Sequence, residues 1–332
     1  MMKKIFYLLI FVLVAFSSCS EKAINCFSDN YDFIQTPQTQ TDIESKKVVL
    51  EDGNKNVSNI FVINDFLLTK NSNNSKKLLS VYDLTGKKYG SFANLGKARD
   101  EFTRGMSLTA QFDDKVFYVN DVNTASLKEI DLKASLDSNK CVVKKMFSVG
   151  PRTMNSFYVN DSLIVCEQEI RDNYGLFLIN PQTKKIISKK KIYEPHKKPF
   201  NIYNSRMVIN KEKNKIAFAM RYVNQINFMS LDSDWRKAIS LYDDASMAKR
   251  RGKEYYCDIA TDGKYVYALY MNQTLDDAFE KEKDMEIHVM DWDGNLVKVL
   301  HSKEYLIKLA VDSHGTLYGN DLDSNVYKYE IK

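Results

Sequence analysis

The chain has 332 residues and a formal net charge of +5 at pH 7, and 44% of its residues are hydrophobic. So small a charge excludes a dedicated nucleic-acid binder, which concentrates many more Lys and Arg side chains on one face. We therefore expect no nucleic-acid partner. The 20 Tyr and 18 Phe residues favour β-strands, where large rings pack well on a pleated surface. Closed all-β folds of this length form one domain.

The first residues have the pattern of a bacterial lipoprotein signal peptide. Two lysines precede the apolar stretch 5–16, which is long enough for a signal sequence and too short for a transmembrane helix. Small residues then precede Cys19, which resembles a lipobox. We predict a signal peptide over 1–18, a lipidated polar tether over 19–42, and membrane attachment through acyl chains on Cys19. The alternative is an ordinary secretory signal with a coincidental cysteine.

From residue 43 onward the sequence repeats a four-stranded pattern. In the first unit, the apolar runs Ile60–Ile63 and Phe66–Thr69 flank Asn64-Asp65, a pair that suits a tight hairpin turn. Equivalent turns fall at residues 65, 114, 161, 214, 263 and 315. This spacing of about 50 residues is typical of β-propeller blades. Six units predict an all-β, six-bladed β-propeller of four-stranded antiparallel blades over 43–332.

The last unit lacks a fourth strand, and a spare strand precedes the first unit. Three strand patterns follow residue 306 before the chain ends, whereas Ser45–Glu51 forms a lone strand pattern. Pairing of this strand with the last unit would close the ring and remove exposed strand edges. We therefore predict that the N-terminal strand completes the sixth blade.

The N-terminal pattern, the six units and the stretch Leu95–Phe102 together resemble the TolB-like six-bladed β-propeller lipoproteins of Bacteroidota. Members of that family often carry a Gly-x-Gly-Pro-Gly-Glu-Phe stretch after the first blade. Gly96, Glu101 and Phe102 fit this stretch, whereas residues 98–100 replace its Gly-Pro-Gly. The resemblance covers the whole mature chain and implies the fold. It implies no specific activity, because propellers carry many unrelated functions.

The resemblance also implies that ligands bind on the face whose loops lead into the innermost strands. These loops are rich in basic and aromatic residues. Guanidinium groups pair bidentately with carboxylate or sulfate, and aromatic faces suit sugar rings, so an acidic glycan or another anionic ligand is the expected partner class. The candidate binding residues are Lys97, Arg99, Arg104, Arg152, Tyr203, Arg206, Tyr222, Arg250 and Arg251. The alternative is that these are solvated charges on long loops.

A metal-assisted enzyme is the alternative function. Six-bladed propellers related to gluconolactonases use Asp, Asn and Glu around a calcium ion in the channel. Asn155, Asp258 and Asp312 lie on or beside predicted innermost strands and could hold Ca2+ for a lactonase or hydrolase reaction. No HExxH, G-x-S-x-G or P-loop pattern is present in the sequence.

We favour a non-enzymatic, lipid-anchored binding or scaffolding protein with a protein or glycan partner in the cell envelope. We expect a monomer without a cofactor. Outer-membrane attachment facing the periplasm is preferred over the cell surface, because only Glu21 follows Cys19 as an early acidic residue. The insertion of the fifth unit, 272–286, contains good helix formers and is predicted to be a lid, a docking element or a surface loop. Cys166 and Cys257 are expected to be buried thiols.

Overall fold

The computed structural model describes residues 27–53, 57–71, 76–109, 116–150, 153–170, 173–192, 204–242, 253–274, 277 and 284–331. Several predicted features lie outside these described residues: the signal peptide, Cys19, Arg152, Tyr203, Arg250, Arg251 and most of the insertion in the fifth unit. Across the described ranges, no helix has the length and apolar character needed to cross a membrane.

The described chain forms six β-sheets. Three short strands come first, namely β1 (Tyr31–Ile34), β2 (Gln40–Ile43) and β3 (Ser45–Val48). Blade 1 contains β4 (Val57–Ile63), β5 (Phe66–Asn71), β6 (Lys77–Asp83) and β7 (Lys88–Leu95), with β8 (Glu101–Phe102) parallel to β7. Blade 2 contains β9 (Met106–Leu108), β10 (Val116–Asp121), β11 (Ser126–Asp131) and β12 (Val143–Ser148), together with a 3-10 helix at Val122–Thr124 and helix α1 at Leu132–Ser138.

The remaining blades repeat the antiparallel order. Blade 3 contains β13 (Thr153–Asn160), β14 (Leu163–Ile170), β15 (Asn173–Ile179) and β16 (Ile186–Lys191). Blade 4 contains β17 (Ser205–Asn210), β18 (Lys215–Met220), β19 (Ile226–Ser230) and β20 (Arg236–Leu241). Blade 5 contains β21 (Lys253–Thr261), β22 (Tyr265–Thr274), β23 (Met285–Asp291) and β24 (Leu296–Ser302). Blade 6 contains β25 (Leu306–Val311), β26 (Leu317–Asp321), β27 (Val326–Tyr329) and β3.

The structure confirms the predicted six-bladed propeller and its closure. β3 pairs antiparallel with β27, so that Ser45 lies opposite Tyr329 and Val48 opposite Val326. Val48 is 6% exposed and packs in the core between blades 6 and 1. One strand from the start of the chain therefore completes the last blade, and the ring has no open end.

The predicted hairpin turns are present where the structure describes them. Asn64 and Asn214 have φ of 52° and 51°, and Gly263 and Gly315 have φ of 84° and 80°. Asn and Gly adopt this left-handed region at little energetic cost, which is why the sequence pattern marks these turns.

The segment 27–48, which we call the N-terminal strap, differs from the tether predicted over 19–42. β1 pairs parallel with β20 and β2 parallel with β24, so the strap follows the outer edges of blades 4 and 5 before it enters blade 6. Phe27 is 3% exposed in the core between blades 3 and 4, with its ring centroid 6.0 Å from that of Phe218. β1 and β2 lie at the edges of their sheets, and most of their side chains face solvent. This explains the polar composition of the strap.

Candidate binding site at the mouth of the central channel

The six innermost strands, β4, β9, β13, β17, β21 and β25, surround a central cavity of about 130 Å³. A cavity of this volume holds on the order of ten water molecules. Six polar side chains that line the cavity come from six different blades. These residues, which we call the polar ring, are Asn59, Ser107, Asn155, Arg206, Asp258 and Lys308.

A shift in strand register, as at a β-bulge, precedes four members of the polar ring. In each of these blades the pairing of the innermost strand with its neighbour changes register immediately before the ring residue. The shifts lie between Val57 and Asn59, Thr153 and Asn155, Tyr256 and Asp258, and Leu306 and Lys308. A bulge redirects a side chain and is over-represented beside functional sites. Because the same register shift precedes the ring residue in four blades, the polar ring is a recurring feature of the fold.

Arg206 supplies an accessible positive charge to the polar ring. Its side chain is exposed, and its Nε donates a hydrogen bond to the carbonyl of Cys257 at 3.4 Å. Within the described ranges no carboxylate forms an ion pair with Arg206. Its terminal nitrogens can therefore form a bidentate contact with an incoming carboxylate or sulfate.

Asp258 and Lys308 form an ion pair across blades 5 and 6. Lys308 Nζ lies 3.1 Å from Asp258 Oδ1, and the amide of Leu309 donates to Asp258 Oδ2 at 2.9 Å. Lys70, on β5 behind the ring, donates from Nζ to the carbonyl of Met106 at 2.7 Å. Burial lowers the pKa of Lys70, and the nearby charge of Lys308 acts in the same direction. The ring and its supporting residues thus carry more cationic than anionic groups.

Glu167 lies behind the ring on β14 and is 2% exposed. Its Oε2 accepts a hydrogen bond from Nδ2 of Asn155 at 2.5 Å. Burial raises the pKa of Glu167 to about 7, although the Asn155 amide and the charge of Arg206 act in the opposite direction. The protonation of Glu167 therefore changes the charge of the site near neutral pH.

The thiols of the described chain are poor nucleophiles. Cys141, Cys166 and Cys257 are all free, and Cys166 is fully buried as predicted. Cys257 is instead half-buried beside the ring. Burial raises the pKa of the Cys257 thiol to about 12, and the neighbouring charge of Asp258 adds to this effect. A thiol with such a pKa is protonated at neutral pH and reacts slowly.

The predicted basic residues that the structure describes do not form one patch. Arg99 donates from Nη2 to the carbonyls of Val143 and Lys144 at 3.5 and 3.4 Å, on the outer strand of blade 2. Lys97 and Arg104 are exposed on the loop between β7 and β9. Of the predicted basic residues that the structure describes, Arg206 is the one that lines the channel.

Tyr222 lies on the loop between β18 and β19 and is half-buried. The guanidinium carbon of Arg221 is 5.2 Å from the centroid of its ring, and Nη2 of Arg221 lies 2.6 Å from Oε1 of Glu254. The tyrosine is therefore part of a contact between blades 4 and 5. Arg221 and Glu254 carry this contact, and the sequence did not single out either residue.

The three candidate metal ligands do not come together. Asn155 and Asp258 belong to the polar ring, whereas Asp312 follows β25 at the opposite end of that strand. Its Oδ1 accepts hydrogen bonds from the amides of His314 and Thr316 at 2.9 and 2.8 Å, which is the capping role of Asp in a turn. No cluster of three or more His, Cys, Asp or Glu side chains suited to a metal ion occurs among the described residues.

Sequence reasoning missed Lys308, Glu167 and Lys70. A usable signal was present for Lys308, because a charged residue inside the apolar run 306–311 of an innermost strand must face the channel or find a partner. Glu167 gives no such signal, because it follows the apolar run 163–166 and begins a polar stretch. Lys70 is the second-last residue of β5, where a lysine is unremarkable.

The fold and the polar ring define a six-bladed β-propeller with a charged channel mouth. No family model matches the chain, and no curated protein sequence matches it. A solved member of the DUF4221 family from Bacteroides vulgatus superposes with a TM-score of 0.60 at 13% identity, covering 87% of this chain and 96% of that chain. A Bacteroides fragilis protein, named as a candidate exported protein, gives 0.59 at 12% identity over 91% and 99% of the two chains.

Streptogramin B lyase superposes with a TM-score of 0.50 at 9% identity, covering 87% of this chain and 98% of that chain. Identities this low show a shared propeller fold and nothing about activity. Membership of the TolB-like lipoproteins stays a prediction.

Proposed function

We propose that this chain is an exported, lipid-anchored binding protein that takes an anionic ligand at the polar ring. The observation that carries the proposal is the exposed guanidinium of Arg206 beside the amide and hydroxyl groups of Asn155, Asn59 and Ser107. A carboxylate or sulfate would pair with Arg206, and neighbouring hydroxyl groups of the ligand would bond to the amides. An acidic glycan and an acidic protein segment share this chemistry.

The anchor and location follow from the N-terminal pattern. Lipidation of Cys19 would hold the propeller at the outer membrane, with the periplasmic side preferred over the cell surface. The name of the Bacteroides fragilis neighbour is consistent with export. Mass spectrometry of the mature N-terminus tests this part. We expect acyl groups on Cys19 and a soluble, unacylated product from Cys19→Ser, whereas an unacylated wild-type chain would contradict the anchor.

Calorimetric titration tests the binding site. The ligands are a uronate-containing glycan, a sulfated glycan, the uronate glycan with its carboxyls amidated, and an acidic peptide. Arg206→Gln removes the charge at the ring, and Arg99→Gln is a matched control on the outer side of blade 2. Loss of a charge-assisted contact weakens binding by about 10-fold or more.

We expect at least one acidic ligand to bind the wild-type chain and the Arg99→Gln variant equally, and to bind Arg206→Gln more weakly. Amidation should abolish the difference between the variants, because the guanidinium would then have no anion to pair with. Preference for the glycans or for the peptide identifies the class of partner. Equal binding to all three proteins would refute the proposed site. The calcium-assisted lactonase or hydrolase lacks comparable support, since Asp258 is paired with Lys308 and Asp312 caps a turn.

A further inference from the structure

The outer strand of blade 3 is basic and partly apolar, and no further described strand covers it. The outer edges of blades 4 and 5 are covered by β1 and β2, whereas β16 pairs only with β15 among the described strands. The segment 184–191, which we call the basic edge, contains five lysines and no acidic residue. Ile186 and Ile187 within it are 46% and 58% exposed. This combination differs from an ordinary solvated strand, because two adjacent isoleucines stand among the charges.

Two other outer strands, β12 of blade 2 and β3 of blade 6, also lack a covering strand within the described residues, and the ion pairs on β12 distinguish it from the basic edge. On β12 of blade 2, Lys144 pairs with Asp131 at 3.0 Å and Lys145 with Asp161 at 2.7 Å. In the part of the chain that the structure describes, no ion pair neutralises Lys184, Lys185 or Lys189 on the basic edge. Lysines also protect strand edges from aggregation, and the two exposed isoleucines among them distinguish the basic edge from that role.

The start of the described chain lies beside the basic edge. Arg236 Nη2 donates to the carbonyl of Lys191 at 2.6 Å, and the guanidinium carbon of the same residue is 5.3 Å from the ring centroid of Phe27. Cys19 precedes Phe27 by eight residues (27 − 19), which span about 30 Å at most. A lipid on Cys19 would therefore keep the basic edge near the bilayer.

We propose that the basic edge docks on an anionic lipid bilayer, with its lysines at the headgroups and the two isoleucines in the interface. The inference rests on the lipid anchor of the proposed function and adds the surface that meets the membrane. A single lipidated residue and a polybasic patch reinforce each other in membrane binding. Because β16 lies on the outer wall, this contact leaves the channel mouth open to solvent.

The test uses full-length lipidated protein on vesicles. A polarity-sensitive fluorophore is attached to Ile187→Cys on the basic edge, or to Leu322→Cys on blade 6 across the ring, where Leu322 is 55% exposed. Protein without an introduced cysteine gives the background from the native thiols. Vesicles contain phosphatidylcholine alone or with one third phosphatidylglycerol.

We expect a blue shift at position 187 on the anionic vesicles only, and no shift at position 322. About 0.5 M salt should reverse the blue shift at position 187, because the Debye length then falls to roughly 4 Å and the lysine charges are screened. The triple change of Lys184, Lys185 and Lys189 to Gln should abolish it and lower the affinity of the surface for anionic vesicles by about 100-fold.

Equal shifts at both positions, or no shift at position 187, would overturn the docking surface. A shift that needs envelope proteins rather than lipid would overturn it in favour of a protein partner. Flotation with phosphatidylcholine vesicles reports the anchor separately, because acyl chains bind uncharged bilayers. Protein that floats without a shift at position 187 therefore retains the anchor and loses the docking surface, whereas protein that fails to float lacks the anchor.

Discussion

Glu167 makes the stability of the protein depend on pH. Its carboxyl is buried, and its pKa of about 7 lies above the ordinary value of 4.5. The folded state therefore binds a proton that the unfolded state has released between these two values. The contribution of this carboxyl to the free energy of unfolding is fully present below pH 4.5 and is lost as the pH rises through 7.

Glu167→Gln removes this dependence, because the amide stays neutral and its oxygen can still accept the bond from Asn155. A difference of one in pKa corresponds to about 1.4 kcal/mol. We expect the free energy of unfolding of the variant to exceed that of the wild type by roughly 3 kcal/mol near pH 8. Near pH 5 the difference should be much smaller. Urea unfolding at the two pH values measures this. Glu212→Gln, at an exposed position, is the control, and parallel curves for Glu167→Gln and wild type would contradict the shifted pKa.

At this scale the sequence predicted three members of the polar ring, Asn155, Arg206 and Asp258, because they stand on or near recognisable innermost strands. The sequence grouped Arg99 with Arg206 because it predicted both on loops that lead into the channel, whereas Arg206 lies on β17. The structure turns Arg99 toward blade 2, where backbone carbonyls accept its hydrogen bonds. Side-chain direction on a long loop depends on tertiary contacts, so sequence position alone does not determine it.

The N-terminal strap shows what sequence patterns miss at the scale of an element. β3 was predictable because its strand pattern fills an evident gap in blade 6. β1 and β2 are four-residue strands with mostly exposed side chains and no turn beside their partners, so they lack the alternation that marks a half-buried strand. The bulges before the ring residues are also invisible in the sequence, since they depend on pairing between strands.

Phe27 should fasten the strap to the propeller. Phe27→Ala removes a ring that is 3% exposed between blades 3 and 4, and large-to-small changes of this kind cost about 3 kcal/mol or more. Phe33→Ala on β1 is the control, because Phe33 is 42% exposed, and it should change stability by less than about 0.5 kcal/mol. Equal unfolding midpoints of the two variants in urea would show that the strap contributes nothing through Phe27.

Two substitutions, one at a buried and one at an exposed position, test the closure of the ring. Val48→Ala deletes two buried methyl groups where β3 meets blades 6 and 1, and should lower the free energy of unfolding by about 2 kcal/mol. Val49 is 69% exposed, so Val49→Ala should have little effect. Thermal unfolding followed by circular dichroism compares them. A loss at Val49 as large as at Val48 would argue against closure by β3.

The whole molecule is a closed ring in which each blade adds one side chain to the polar ring. Its fold was predictable because local hairpins repeat at a regular spacing, whereas its site requires side chains from blades far apart in sequence to meet. The two proposals concern separate surfaces: the channel mouth for an anionic ligand and the outer wall of blade 3 for the membrane. The polar ring and the basic edge share no residue, so ligand binding and membrane contact do not depend on each other.

Site-specific photocrosslinking in the intact envelope tests the ligand site most directly. A photoreactive residue replaces Met154, which adjoins Asn155 of the polar ring and is 42% exposed, or Asp65 in a turn on the opposite face. We predict that position 154 captures a glycan or protein partner, that position 65 does not, and that Arg206→Gln reduces the capture at position 154. Equal capture at both positions, or capture at position 154 that is unaffected by Arg206→Gln, would contradict the account.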